Sequence, residues 1–295
     1  MTARRLGAWV LVVVASLTIP LAVAAYWAAS TVTDANRYEA TLSPLAQQPA
    51  ITNAVADRAT DRLFALAPDA PSVPSLSQLH STVRDQIAGL LRTQAFQSTW
   101  DTAVRNSHPT AVAVLTGSAA TGATTPVELN LTPVLNQAVA ALHSQGITAF
   151  DGPLSSVQGP SAFTVTVLSP KQVDESRQVF HVIVQLRWVL LAAAIVGVLG
   201  ALALADRRRR VLAGLAVGTA LVAVACLGGL AAARSVAVVR AQASNVNTGI
   251  STAVFDVLVR FLRVDLYITL GVAVGVGAIV ALWSLLRPRP AGRWR

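Results

Sequence analysis

Cysteine, lysine, methionine and aromatic residues are scarce in this 295-residue chain. It holds one cysteine (Cys226), one lysine (Lys171), one methionine and 5% aromatics. Each shortage excludes something. A lone cysteine forbids an intrachain disulfide, and with it redox pairs and thiolate metal clusters. Any exported domain must then fold on its hydrophobic core, with Cys226 itself packed as a small apolar residue. No G-x-S-x-G elbow, H-E-x-x-H pair or P-loop occurs, so the commonest hydrolase, zinc-peptidase and nucleotide-binding signatures are missing. Charge is thin as well, at 13% of residues, and four long stretches carry none.

Those stretches are what the chain has in abundance. They cover residues 7–29, 188–205, 211–233 and 266–286, each flanked by arginine, in a chain that is 54% hydrophobic. About 20 apolar residues cross a ~30 Å hydrocarbon layer as a helix, and a helix satisfies its own backbone there. The expected fold class is a mainly α membrane protein: four transmembrane helices with a helix-rich α+β extracytoplasmic domain containing a small sheet. The expected organisation is an anchor helix over 1–30 and the extracytoplasmic domain over 31–187. A transmembrane hairpin with an Arg-rich turn follows over 188–233, an outer loop with an amphipathic helix over 234–265, and a fourth span with a basic tail over 266–295.

Charge placement sets the orientation. Arg4, Arg5, Arg207 to Arg210, Arg287, Arg289, Arg293 and Arg295, less Asp206, account for the whole net charge of +9. Residues 31–187 sum to −2 and residues 234–265 to +2. The excess sits on alternate loops, as the positive-inside bias requires. Both termini and the Arg-rich turn are expected in the cytoplasm, with 31–187 outside a plasma membrane. Arg234, Arg240, Arg260 and Arg263 run against the pattern. The Arg207–Arg210 run reads as a stop signal contacting anionic lipid heads rather than as a nucleic-acid site. The first span has a competing reading as a signal peptide, because Ala22-Val23-Ala24 fits a small-x-small cleavage site. Apolar character continues through Tyr26 and Trp27, which suit a membrane interface, so an uncleaved anchor is expected.

Residues 42–115 show helical periodicity. Ser43-Pro44 offers a helix start. Ile51, Val55, Ala59 and Leu63 make one apolar stripe, Leu79, Val83, Ile87, Leu90 and Leu91 a second, and Phe96, Trp100 and Val104 a third. Pro68, Pro71 and Pro74 mark a loop, as do residues 117–126, and Pro109 is placed to break or kink the third helix. The period then changes. Val127, Leu129 and Leu131 alternate with polar residues, as do Phe163, Val165 and Val167, predicting two strands. Between them Thr132-Pro133 can cap a helix ended by Gly146. If the strands pair in parallel, the crossover should be right-handed. Ser169-Pro170-Lys171-Gln172 starts a further helix. No breaker follows before Gly197, so it should run into the second span, able to transmit tilt into the bilayer. Ile250, Val254, Val257, Leu258, Phe261 and Leu262 form one face of an amphipathic helix, capped by Thr248 or Ser251, that lies on the membrane or docks on the outer domain.

Several segments carry a resemblance: Pro44-Leu45-Ala46 to Thr60, Phe96…Trp100…His108, Val127-Glu128-Leu129 to Gly146, the second strand with its long helix, and the Arg207–Arg210 turn. On these the chain resembles a group of uncharacterised actinobacterial four-span membrane proteins. The resemblance covers most of the chain and implies topology rather than chemistry.

Candidate chemical groups are few. His80, His108, His143 and His181 show no i,i+4 ligand spacing; three of them converging could hold zinc, but scattered surface or capping histidines are the plainer reading. Asp57 with Asp61, and Asp174 with Glu175, lie near Arg58, Arg62, Lys171 and Arg177, which favours ion-paired faces over acid–base chemistry, with a weak cation site at Asp57 and Asp61 as the alternative. Phe96, Trp100 and Val104 line a core or an apolar pocket. Gly271, Gly275 and Gly277, with Gly214 and Gly218, mark helix packing within or between chains. The spans lack the ionisable groups of coupled transporters. No catalytic residue, metal or cofactor is assigned. The expected function is a non-enzymatic cell-envelope protein presenting an interaction or scaffold domain; the alternative is a subunit of an oligomeric transport or channel complex. Expected partners are the lipid bilayer, an envelope protein through the outer domain, and further copies through the small-residue helix faces, with no nucleic acid.

Overall fold

A computed structural model describes residues 3–66, 76–117, 127–130, 132–144, 164–168, 170–243 and 248–286. The chain divides into two compact units. One comprises Met1–Ala29, Val182–Val236 and Val259–Arg295; the other comprises Ser30–His181 with Ala237–Leu258. The predicted loops over 68–74 and 118–126, Gly146 and Ser169 lie outside the described residues.

Four helices are long and apolar enough to cross a membrane, and the protein is a multi-pass membrane protein. They are α1 (Ala3–Thr33), α7 (Pro170–Leu204), α8 (Arg208–Ala243) and α10 (Arg260–Leu285). Pro20 lies inside α1 without ending it, since membrane helices tolerate proline when neighbours re-satisfy the backbone. Helix α7 (Pro170–Leu204) is unbroken over 35 residues, and α8 (Arg208–Ala243) over 36. At 1.5 Å per residue each is about 53 Å long, well beyond a ~30 Å hydrocarbon core. In the first unit, Val12 and Ala15 of α1 pack with Ala201, Val211 and Leu215. The approach depends on glycine. A Cβ at Gly197 would sit 3.3 Å from the Ala15 Cα, and one at Gly214 3.1 Å from the Trp9 ring.

The second unit is helical. Asp34 caps α2 (Ala35–Leu42) by accepting from the amides of Asn36 and Arg37. A 3-10 helix, Ser43–Gln47, follows, and α3 (Pro49–Leu66) begins at Pro49 rather than at Ser43-Pro44. Then come α4 (Leu76–Leu90) and α5 (Gln94–Thr116). Thr93 caps α5 on the Phe96 amide, and Gly117, at φ 73°, ends it in the left-handed region that glycine enters freely. Pro109 does not break α5. Ala111 and Val114 beyond it are buried, so tertiary packing outweighs the lost backbone hydrogen bond. The core gathers Leu45, Ala56, Ala59, Leu63, Val83, Ile87, Leu91, Phe96, Trp100 and Val104. All three predicted stripes therefore face one interior. Thr60, fully buried on α3, satisfies its hydroxyl on the Ala56 carbonyl at 2.8 Å.

The expected α+β class with a small sheet is corrected. The protein is helical in both units. The two extended segments, β1 (Val127–Asn130) and β2 (Thr164–Leu168), form only a two-stranded ribbon of four and five residues. They pair antiparallel, Val127 opposite Leu168 and Asn130 opposite Thr164, with an irregularity between Val127 and Glu128. So the parallel crossover does not arise, and among the described residues there is no further strand to widen the ribbon into a layer. Two short strands bury too little to organise a domain; the helical stripes do that. Helix α6 (Thr132–Ser144) begins at Thr132 itself.

The amphipathic helix is shorter than its sequence pattern. α9 (Thr248–Leu258) ends before Val259, and α10 (Arg260–Leu285) takes Phe261, Leu262 and Arg263 into the fourth span. Thr248 is already helical and Ser251 lies inside α9. Val257 joins the helical core and Val254 packs on it, so α9 belongs to the helical unit.

Candidate functional site

The carboxylates on α3 meet cations on α4. The Arg84 guanidinium donates to Asp57 and, at 3.3 Å, to Asp85. The hydrogen bond to Asp57, then the charge of that carboxylate, holds Arg84 more firmly protonated than an ordinary arginine. His80 Nε2 lies 3.2 Å from Asp61 Oδ1, with its ring 5.0 Å from that of Phe64. Asp57 and Asp61 share a face, as their spacing predicts, but each already has a partner, and both are over half exposed. Water and salt screen such pairs. This is a solvated ion-paired face.

His108 is used structurally. A carbonyl oxygen only accepts, so Nε2 carries a proton and donates it to Val32 at 3.0 Å. Its ring meets Tyr38 edge-on at 5.1 Å. Ser107 gives its proton to the Val104 carbonyl at 2.8 Å, leaving its oxygen to accept from the Tyr38 hydroxyl at 3.3 Å. The Tyr38 hydroxyl, the Ser107 hydroxyl and His108 Nε2 each have a partner within the cluster or on a backbone carbonyl.

Phe96, Trp100 and Val104 are core residues, and Trp100 Nε1 donates to the Leu42 carbonyl at 3.2 Å. The four histidines are not brought onto one another: His80 meets Asp61, His108 meets Val32, and His143 and His181 are exposed. Among the described residues no group of three or more His, Cys, Asp or Glu could hold a metal ion. Asp174 and Glu175 lie on α7, with side chains outside the described set. Sequence reasoning places Arg177 only beside Asp174 and Glu175 and misses its contact with α5, where its Nε donates to the Val114 carbonyl at 3.0 Å near the helix end. An arginine holding a helix C-terminus 63 residues away leaves no local signature.

In the membrane unit, Gly214 and Gly218 pack against α1, within the chain. Gly218 faces Ser16, whose hydroxyl is buried with no hydrogen-bond partner. Among the described residues, a Cβ added at Gly271 or Gly275 would meet nothing within 4 Å, and one at Gly277 would lie in ordinary contact with the Ala216 side chain. Alongside the α1–α8 contact runs a groove of about 700 Å³, apolar except for Ser16 and Arg210. In the same unit Arg5 pairs with Asp206 at 2.9 Å. The Arg209 guanidinium lies 5.2 Å over the Trp283 ring. Cys226 is partly buried and unbonded.

No family model matches the chain, and no curated protein or solved structure matches it.

Proposed function

We propose that this is a non-enzymatic membrane protein of the cell envelope that presents its helical domain outside the cytoplasm as an interaction or scaffold module. In this reading both termini and the Arg207–Arg210 turn are cytoplasmic and residues 31–187 are extracytoplasmic. The charge excess on alternate loops supports that threading, and the resemblance to actinobacterial four-span proteins agrees with it. The observation that carries the function is the fate of the reactive side chains. His108, Ser107 and Tyr38 spend their hydrogen bonds on one another and the backbone, and Asp57 and Asp61 spend theirs on Arg84 and His80. What remains for function is the surface of a cysteine-free helical body.

The second reading, a subunit of an oligomeric transport or channel complex, draws on Gly271 and Gly275, where an added Cβ would meet nothing within 4 Å among the described residues. One experiment separates the two. A photo-crosslinking residue placed at Asp85 or Asp61, both exposed, should give a discrete adduct with an envelope component in living cells. The purified chain in a planar bilayer should show no conductance. Conductance without an adduct overturns the scaffold reading.

A further inference from the structure

We propose that the groove between α1 and α8 holds one acyl chain of an anionic phospholipid, with Arg210 taking the phosphate. On α8 the groove is lined by Arg210, Gly214, Gly218 and Leu221, a single stripe at three- and four-residue spacing; on α1, by Trp9 and Leu17 among others. From Arg210 to Leu221 at 1.5 Å per residue is about 17 Å. Half of a ~30 Å hydrocarbon core is about 15 Å. The groove thus starts at a cation and runs the depth of one leaflet.

Charge selects the headgroup. Asp206, the lone carboxylate of the turn, is taken by Arg5 at 2.9 Å, and Arg209 lies over Trp283. Arg210 is exposed at the groove mouth. It sits in the first turn of α8, where the backbone also favours an anion. Trp9, half exposed beside it, suits the same depth. A second copy docked about a two-fold axis along the membrane normal would set Arg210 against its own equivalent, which argues for a lipid as the occupant.

The test uses the full chain in detergent, with phosphatidylglycerol and phosphatidylcholine of identical chains as probes and native mass spectrometry as readout. Expected is one retained phosphatidylglycerol per chain, in preference to phosphatidylcholine. Arg210→Gln should lower that retention roughly fivefold, the weight of one arginine near an anionic surface. Val217→Trp should abolish it by filling the groove, and Arg240→Gln, in the last turn of α8, should leave it unchanged. Equal retention of the two lipids, indifference to Arg210→Gln, or an equal loss with Arg240→Gln overturns the proposal. So does displacement of the lipid by inorganic phosphate, which would leave the chain no role. Disulfide formation between copies of a Val217→Cys, Cys226→Ala variant would assign the groove to self-association instead.

Discussion

Trp100 ties the end of α2 to the second turn of α5: its indole nitrogen donates to the Leu42 carbonyl, 3.2 Å away and 58 residues back in sequence. The ring meanwhile packs in the core beside Phe96, centroid to centroid 6.1 Å. The hydrogen bond and the packing can be separated. Trp100→Phe keeps most of the ring and leaves the carbonyl unserved, a cost of about 1–2 kcal/mol. Trp100→Ala removes the core volume as well, at about 3–5 kcal/mol. Hydrogen–deuterium exchange should show faster exchange of the α2 amides in both variants, more so in the alanine one. Equal exchange in the two would mean that the bond to Leu42 carries the whole effect.

His108 offers a direct test against chemistry. His108→Ala strands the Val32 carbonyl and should destabilise the helical domain by about 1–3 kcal/mol. His108→Gln, whose amide can still donate, should recover part of that. A thermal melt of the purified protein checks both. A variant that melts normally yet loses function in cells would make the imidazole a functional group rather than a strut.

The helices of this chain are legible in its sequence because burial enforces the helical period. Val83 and Ile87, or Phe96, Trp100 and Val104, fall on one face, and the core lies on that face. The four spans are legible because lipid demands unbroken apolar length. What escapes is set by competition between distant residues. Pro109 looks like a break, and α5 continues because Ala111 and Val114 are buried beyond it. Val127–Asn130 and Thr164–Leu168 alternate as strands do, yet alternation says nothing about pairing direction or about how little sheet would form. The boundary at Val259 is hidden because Phe261 and Leu262 continue an apolar pattern that α10, not α9, uses. At the candidate sites, charge spacing placed Asp57 and Asp61 on one face. Their partners on α4 depend on how two helices pack.

Ser16 and Gly218 form a size-coupled pair. A Cβ at position 218 would lie 2.8 Å from the Ser16 Cβ, so Gly218→Ala should loosen α1 from α8 by about 1–3 kcal/mol, the usual cost of overpacking. Ser16→Ala removes a buried hydroxyl with no partner and should be neutral or stabilising. Ser16→Gly should rescue Gly218→Ala. Melting of the four proteins in detergent completes the double-mutant cycle; strict additivity would show that the two residues do not meet.

The α3–α4 ion pairs should matter little. Asp57→Asn or Arg84→Gln breaks a largely solvated contact and should change stability by no more than about 1 kcal/mol, less at high salt. Asp57→Asn with Asp61→Asn should leave divalent-cation titrations of the protein as featureless as in the parent. Saturable calcium binding in the parent, lost in the double variant, would restore the cation site.

The threading of the chain is tested most directly by cysteine accessibility. In a Cys226→Ala background, single cysteines replace Asp85 on the helical domain and Arg208 in the Arg-rich turn, and intact cells are treated with a membrane-impermeant maleimide. The account predicts labelling at position 85 before lysis and at position 208 only after it. The reverse pattern would place the helical domain in the cytoplasm and contradict its role as an envelope-facing module.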